Sequence, residues 1–461
     1  MNRKRITSIL KWTGISIVVL AVIYAVLLIW STVRLRQAYA ALAKDGRPMR
    51  MEDISPARVP DEENAALLYE IAILRLRAER GSEANPLEHE GYLSQHLLSG
   101  SLDPNGQEEL ARLLQTTCIE QALTAVEEGT QRPRCRFDID YDKGQGTRFP
   151  PLSWFSNTTT ILCAKAYVQA NQGNAVNAWK TMETSLRLAQ ALRSEPFLVS
   201  QDTRMGLGRR TIATLQRLCQ MSPPDLQQMA CLDGLLKPFD DDGPWITSLD
   251  GERLLGERVF LQTSLRSRLS WAVSLDDCGD LRGVIQSYVR AIPVLFKATL
   301  QLDHVAYLGW MRQDTEVAMS PYSRQDGEIE KQWINGLPWY CPLTRNLRPS
   351  FSAYKSNWVR AKAEVRITRV GLAALGYRHA HGSFPENLDA LDMKDLGDPF
   401  SGKPLIYRPE GEGVVVYSVG PDQKDDGGTP RPTDGNEPRH REGWDIVWHY
   451  AGSKAPTGSP G

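Results

Sequence analysis

Three aspartates in one short loop near the carboxyl end are the residues best suited to chemistry. The stretch "VVVYSVGPDQKDDGG", residues 414–428, runs from β-branched residues into Asp422, Asp425 and Asp426. Hard cations such as Ca²⁺ take about 6 to 8 oxygen ligands from carboxylates, backbone carbonyls and water. The spacing D-x-x-D-D-G-G supplies oxygens, and its glycines let the backbone fold around an ion. It is not an EF-hand, in which the acids alternate. A solvated acidic turn is the alternative interpretation.

Other clusters of reactive side chains have simpler explanations. The acids at 61–63 follow a proline and are expected to cap a helix that begins near Asp61. The three acids within "KPFDDDGPW", residues 237–245, are typical of a solvated turn. His379 and His381 lie two apart near a helix end, so they point to different faces and are poor partners for one metal.

The sequence shows no catalytic constellation. Seven cysteines are scattered without a CxxC pair or zinc-ligand spacing, which predicts buried thiols or one or two disulfides. No GxSxG elbow, HExxH, Walker loop or GxGxxG after a strand is present. Scaffold signals without catalytic motifs favour a non-enzymatic protein. An enzyme such as a hydrolase, with a site assembled from dispersed residues of the helical region, is the alternative.

Length and composition indicate a folded chain of two or three domains. The protein has 461 residues, of which 24% are charged and 41% hydrophobic, as in ordinary folded proteins. Its formal net charge of −1 gives no overall attraction to nucleic acid. We therefore expect no nucleic-acid partner.

An uncharged stretch near the amino end predicts a membrane anchor. Residues 12–33 are long enough for a helix to cross the hydrocarbon core, with Trp12 and Trp30 near the two interfaces. Four cationic residues crowd the amino side, namely Arg3, Lys4, Arg5 and Lys11. We expect a single pass through the inner (cytoplasmic) membrane, with the body facing the periplasm.

A cleavable signal peptide is the alternative interpretation of the same stretch. The sequence "AYA" at residues 38–40 has the small-x-small form that a signal peptidase accepts. However, the apolar stretch is longer than a typical signal core, and Arg34 and Arg36 lie between it and that site. A retained anchor fits these features better.

The region after the anchor is predicted to be a helical scaffold. In "NAVNAWKTMETSLRLAQAL", apolar residues from Ala175 to Leu192 recur at gaps of three and four, which marks one face of a helix. The preceding "ILCAKAYVQANQG" predicts a second helix that stops at Gly173. The pair resembles one tetratricopeptide-type hairpin, but no second copy follows at a fixed period. Irregular helical hairpins are therefore expected.

The carboxy-terminal pattern changes to a mixture of helix and strand. A long helix is expected to end at Gly382, before "FPENLDAL" and the turn "DPFSGKP". The runs "LIYR" and "VVVYSV" predict a hairpin, and "DIVWHY" at 445–450 predicts a third strand after the acidic loop. The fold class is thus mainly α, with a transmembrane helix and a small α+β module that contains an antiparallel sheet.

This module resembles the globular core of the major (G-type) pseudopilin of bacterial type II secretion systems. The similar pieces are "YRHAHGSFPENLDAL", "DPFSGKPLIYR" and "YSVGPDQKDDGG…DI", in that order, within residues 366–450. These pieces cover less than a fifth of the chain. The whole chain is also similar to large membrane-anchored proteins of planctomycete-type bacteria.

The resemblance implies a calcium site in the loop between the last strands. It places Asp422 at the position of the first acidic ligand, with the Val419 carbonyl nearby, and Asp445 at the acid before the last strand. Asp425 and Asp426 are the nearest candidates for the middle ligands. The cofactor implied is Ca²⁺.

Two departures from the pseudopilin pattern shape the interpretation. The amino end, "MNRKRITSILKWTGIS", lacks the processed leader of a pilus subunit. The acidic loop is also longer and contains Asp434 as a further candidate ligand. We therefore expect a pseudopilin-like module attached to a separately anchored helical domain. The expected parts are a cytoplasmic tip and transmembrane helix (1–36), a stalk (37–60), a helical domain (61–355), the module (356–450) and a disordered tail (451–461).

The expected function is that of a membrane-anchored envelope scaffold or binding protein. Its helical domain would bind a protein partner, and the calcium-binding module would dock or stabilise that domain. A role in secretion or surface assembly follows from the resemblance alone.

Overall fold

The computed structural model describes residues 3–78, 104–261, 297–347, 349–391, 393, 397–430 and 444–452. The helices are α1 (Arg3–Lys44), α2 (Ala65–Ala78), α3 (Pro104–Leu114), α4 (Thr117–Gly129), α5 (Leu152–Asn171), α6 (Ala175–Gln190), α7 (Leu198–Met221), α8 (Leu226–Leu236), α9 (Gly243–Leu261), α10 (Lys297–Met319), α11 (Asp326–Gly336), α12 (Pro342–Leu347) and α13 (Phe351–His381). The strands are β1 (Ile406–Glu410), β2 (Gly413–Ser418) and β3 (Ile446–Tyr450). The fold is mostly helical, as predicted, with a small antiparallel sheet near the carboxyl end.

Helix α1 contains the predicted anchor. It is 42 residues long, which corresponds to about 63 Å at the helical rise. Within the part of the chain that the structure describes, it is the one helix long and apolar enough to cross a membrane. Its most apolar window is not buried by any other described part of the protein.

The carboxyl end of α1 continues into the helical body without a break. The Ser31 hydroxyl donates to the Gln301 side-chain oxygen on α10 at 2.8 Å. About two turns further along α1, the Tyr39 hydroxyl donates to Glu257 on α9 at 3.3 Å. The predicted limit between residues 36 and 37 therefore falls inside one helix that packs against α10 and reaches α9 through Tyr39.

The body is built from irregular helical hairpins. Helices α5 and α6 form the hairpin predicted from the sequence, and Gly173 between them has the left-handed φ of +78° that ends a helix. The apolar face of α6 is buried, including Trp179 and Leu186. Helix α7 packs against both members of the hairpin. The start of α2 differs from the expectation, because the acids at 61–63 form a 3₁₀ turn and α2 begins at Ala65.

The three consecutive aspartates at 240–242 lie in a partly solvated loop, in which Asp241 and Asp242 are exposed, as predicted, and Asp240 is half-buried. Each has its own cationic partner, and two of the partners lie on α13. The pairs are Asp240 with Arg366 at 2.9 Å, Asp241 with Arg193 at 2.6 Å, and Asp242 with Lys362 at 2.8 Å. The loop between α8 and α9 is thereby fixed to α13.

Helix α13 connects the body to the sheet. It packs against the body helices and against β2 and β3. It ends at His381, and Gly382 follows with a φ of +79°, as predicted. The predicted domain limit between residues 355 and 356 falls inside this helix. One continuous hydrophobic cluster includes residues of the body, of α13 and of the sheet.

The sheet has the strand order β1-β2-β3, with both pairs antiparallel. This arrangement confirms the predicted hairpin and third strand. All residues of β2 are buried, because it is the central strand and is covered by α13. Gln220 on α7 secures β3 to the body, since its amide donates to the His449 carbonyl at 2.6 Å and accepts from the Ala451 N–H at 3.1 Å.

Candidate functional site

The acidic loop leaves the central strand at its carboxyl end and returns to the neighbouring strand. Gly420 turns the chain with a φ of +69°. A side chain there is excluded, because a β-carbon would lie 2.7 Å from the Trp444 carbonyl oxygen. The described part of the loop ends at residue 430, so the candidate ligand Asp434 lies outside the described residues.

Asp398, which is not among the predicted ligands, holds the start of the loop. Its buried carboxylate accepts hydrogen bonds from the Ser418 hydroxyl at 2.7 Å and from the Val419 N–H at 3.3 Å. It also accepts from the Ser401 hydroxyl at 2.8 Å, within its own turn. The D-x-x-S spacing within "DPFSGKP" was the available signal, because a short acid at the start of a turn binds groups two or three residues on.

Asp445 is the most deeply buried acid where the loop returns. Its side chain is 4% exposed, and Oδ2 accepts from the Gly428 N–H at 2.7 Å and the Asp426 N–H at 3.1 Å. Oδ1 is buried and has no hydrogen-bond partner among the described residues. A buried carboxylate oxygen without a donor or cation is energetically costly. This atom therefore marks a position where a positive charge would be stabilising.

The negative charges near Asp445 also favour a cation at this position, because they repel its carboxylate. Burial raises the pKa of Asp445, and the negative charges of Asp426 and Asp425 raise it further, whereas its two backbone donors lower it. Asp425 itself accepts from the Tyr417 hydroxyl at 3.0 Å and from the Gly427 N–H at 2.9 Å. The structure thus brings Asp425, Asp426 and Asp445 into one electrostatic cluster.

Asp422 makes its contacts in a separate turn. Its side chain is 5% exposed and accepts from the Lys424 N–H at 3.1 Å. The Arg324 guanidinium lies 3.4 Å from the Asp422 backbone carbonyl. Gln423 has a left-handed φ of 57°, and its amide donates to the Phe400 carbonyl at 2.6 Å. These contacts fix the turn against neighbouring segments.

The loop is not a preformed metal cage. Within the described ranges, no group of three or more His, Cys, Asp or Glu side chains is placed so that it could hold a metal ion. The orphaned oxygen of Asp445 fits a cation, but the other carboxylates would have to turn toward it. The calcium site, with Val419 and Asp422 among its ligands, stays a prediction.

Among the described residues, the cysteines and the two neighbouring histidines do not form a site. The six cysteines in the described part of the chain are free thiols, and four of them are buried. Cys278 lies outside the described residues. His379 and His381 are exposed, and the His381 ring stacks on Tyr377 at 4.0 Å between ring centres.

Comparisons with known proteins neither support nor contradict the resemblance to pseudopilins. No family model matches this chain, and searches of curated proteins and of solved structures return no match. The likeness to pseudopilins therefore rests on the sequence motifs alone.

Proposed function

We propose that this protein is a membrane-anchored envelope protein without enzymatic activity. Its carboxy-terminal module, which we interpret as pseudopilin-like, binds one Ca²⁺, and its helical body binds a protein partner. The observation that carries the proposal is the buried Oδ1 atom of Asp445. This atom has no hydrogen-bond partner among the described residues, and Asp425 and Asp426 lie close to it.

Calcium chemistry suits this arrangement of oxygens. Carboxylates of Asp445, Asp425 and Asp426 lie in one electrostatic cluster, and Asp422 and the Val419 carbonyl lie where the same loop begins. Ca²⁺ accepts irregular geometries and fills its shell with carbonyls and water. Binding would turn the exposed acids inward, so the ion is expected to fix the loop rather than enter a rigid cage.

The sheet is connected to the body in a way that suits a scaffold. Gln220 joins α7 to the end of β3, and α13 packs against both regions. A change at the acidic loop therefore acts on the same helix that supports the body. We propose that calcium stabilises the surface with which the body meets its partner, in secretion or surface assembly.

Anchoring and orientation form a separate part of the proposal. Helix α1 supplies the span, and the cationic amino end favours a cytoplasmic tip with the body in the periplasm. A reporter that is active only outside the cytoplasm, fused after residue 461, is expected to be active. Activity of a cytoplasm-specific reporter at the same position would reverse the orientation, and mature protein starting near residue 41 would disprove the anchor.

Thermal unfolding of the full chain in lipid nanodiscs tests calcium binding. At free calcium about 100 times the dissociation constant, one site adds about 2.7 kcal/mol to the free energy of unfolding. We expect calcium to raise the midpoint of the wild type relative to chelator, and Asp445→Asn to abolish the increase. Because Asp445 also accepts two backbone N–H groups, the quantity compared is the calcium-dependent shift within each variant.

A matched control separates the site from the general effect of removing an acid. Asp389 is exposed in a 3₁₀ turn of the same module, outside the acidic loop, so Asp389→Asn is expected to keep the full calcium shift. An unchanged wild-type midpoint, or equal shifts in wild type and Asp445→Asn, would contradict the proposal.

A further inference from the structure

A cleft in the helical body has features of a ligand site that the sequence did not indicate. Its volume is about 740 Å³, which is in the usual range for small-molecule pockets. Its walls come from residues 56–69, from the turn at 130–135, from the end of α6 and from the start of α9. Ala57, Val59 and Leu235, which are exposed or half-buried, contribute an apolar surface.

Four arginines line this cleft, against one carboxylate among its described lining residues. The cations are Arg132, Arg134, Arg187 and Arg193, and the carboxylate is Asp241. Asp241 pairs with Arg193 at 2.6 Å. The acids that pair with Arg134 and Arg187 do not line the cleft. The cleft therefore presents an excess of guanidinium groups.

A buried cation behind the wall adds to this positive charge. Arg204 is fully buried, and its guanidinium donates to the Pro238 carbonyl at 2.6 Å and to the Gln190 side-chain oxygen at 3.0 Å. Both acceptors are neutral, and Arg204 shares the negative charge of Asp241 with Arg193. Because Gln190 turns its oxygen toward Arg204, its amide nitrogen is buried with no hydrogen-bond partner among the described residues. Gln190 also lines the cleft, and its amide nitrogen lies buried behind this wall.

The amino end of α9 opens on the same side. Gly243 and Pro244, the first two residues of this 19-residue helix, line the cleft. The partial positive charge at a helix amino terminus favours an anion. Guanidinium groups and a helix terminus thus lie together beside an apolar surface, although the Gly243 N–H at that terminus already donates to Asp241 at 2.9 Å.

We infer that this cleft binds an anionic amphiphile, meaning a carboxylate or phosphate head joined to an apolar body. Arg134, Arg187 and Arg193 would hold the head, since guanidinium groups bind both oxyanions through paired hydrogen bonds. The apolar body would cover Ala57, Val59 and Leu235. The head could belong to a free amphiphile or to a bilayer lipid. This inference does not depend on the calcium site.

Short-chain probes test the inference on the full chain in nanodiscs of zwitterionic lipid. Octanoate, octyl phosphate and 1-octanol would each be titrated and followed by saturation-transfer NMR, with empty nanodiscs as the blank. We expect one or both anions to bind and 1-octanol to give no signal above the blank. Equal binding of 1-octanol would show a merely apolar groove and overturn the inference, as would the absence of binding by both anions.

Charge-removing variants assign the head to the arginines. Arg134→Gln and Arg187→Gln, tested separately, are each expected to weaken anion binding about tenfold, the effect of one lost charge-assisted hydrogen bond. The unfolding midpoint of each variant would be measured to check that it folds. If one variant has a folding defect, the other still tests the assignment. The assignment would be overturned if every variant that folds kept the wild-type affinity for the anions.

A matched arginine outside the cleft provides the control. Arg112 on α3 is exposed, like Arg134, and also pairs with a glutamate, Glu108 at 2.6 Å, but it does not line the cleft. Arg112→Gln should leave binding unchanged, and an equal loss would show a nonspecific charge effect and overturn the inference. Nanodiscs with anionic lipid distinguish the two sources, because only a site open to bilayer lipid would show competition with octanoate.

Discussion

Gly371 on α13 and Trp448 on β3 are in such close contact that a β-carbon at position 371 would lie 2.4 Å from the indole ring. Trp448 is 1% exposed, so the ring has no open space to move into. The backbone of the helix therefore packs directly on the central aromatic residue of the sheet. This contact sets the distance between α13 and the strands that carry the acidic loop.

Replacing this glycine should separate the helix from the sheet. Gly371→Ala is expected to lower the free energy of unfolding by about 1–3 kcal/mol, the usual cost of overfilling a packed core. Urea denaturation of the full chain, followed by tryptophan fluorescence, measures the change.

Gly376 on the same helix is the matched control. Its nearest neighbour is the Met229 sulfur at 3.5 Å from the position of a β-carbon, which is an ordinary contact. Gly376→Ala should therefore be neutral or stabilising by up to about 1 kcal/mol, because alanine favours the helix. Equal destabilisation by both substitutions would contradict the close contact at position 371.

The ion pair between Asp240 and Arg366 should contribute measurably to stability. Both side chains are mostly buried, and the Arg366 Nε lies 3.0 Å from both carboxylate oxygens. Asp240→Asn is expected to lower the free energy of unfolding by about 1–3 kcal/mol, as for loss of a hydrogen-bonded charge partner. Asp241→Asn, one residue along and 44% exposed, should cost less than about 1 kcal/mol. Equal costs, measured by urea denaturation, would show that burial does not matter here.

A buried glutamate in the body should make stability depend on pH. Glu195 is 1% exposed, and burial raises its pKa to about 7, while the Tyr141 hydroxyl at 3.2 Å and the charge of Arg136 lower it. Its ordinary pKa is 4.5. Because the folded state holds the proton more tightly, this stabilising contribution is complete below pH 4.5 and is lost as the pH rises to about 7.

Glu195→Gln should remove that dependence, since glutamine stays neutral. The difference in unfolding free energy between variant and wild type is expected to change by about 3 kcal/mol in favour of the variant between pH 4.5 and pH 8. Denaturation series across this range give the difference. Glu120→Gln, at an exposed position of α4, serves as the control and should show little change. A difference for Glu195→Gln that does not vary with pH would contradict the raised pKa.

Local patterns were sufficient to predict the elements of the fold. The hairpin of α5 and α6, the end of α13 at Gly382 and the three strands all depend on periodicity and on glycine at left-handed positions. The uncharged span at residues 12–33 likewise needs no tertiary information. Such features are encoded by neighbours in the chain, so the sequence shows them directly.

Pairings between distant residues could not be predicted. The partners of Asp240 and Asp242 lie more than 100 residues away on α13, and no local pattern near the acids predicts them. Asp398 holds the start of the acidic loop from about 20 residues upstream. The arginine-lined cleft combines four separate segments. Contacts of this kind depend on how the helices pack, which hydrophobic periodicity alone does not specify.

Direct binding of calcium is the measurement that tests the central claim. Equilibrium dialysis of the full chain in nanodiscs against radioactive Ca²⁺, with empty nanodiscs as the blank, gives the number of ions bound per chain. We predict one ion for the wild type and for Asp389→Asn, and none at the same concentration for Asp445→Asn. Absence of bound ion in the wild type, or one ion retained by Asp445→Asn, would contradict a calcium site built on the orphaned oxygen of Asp445.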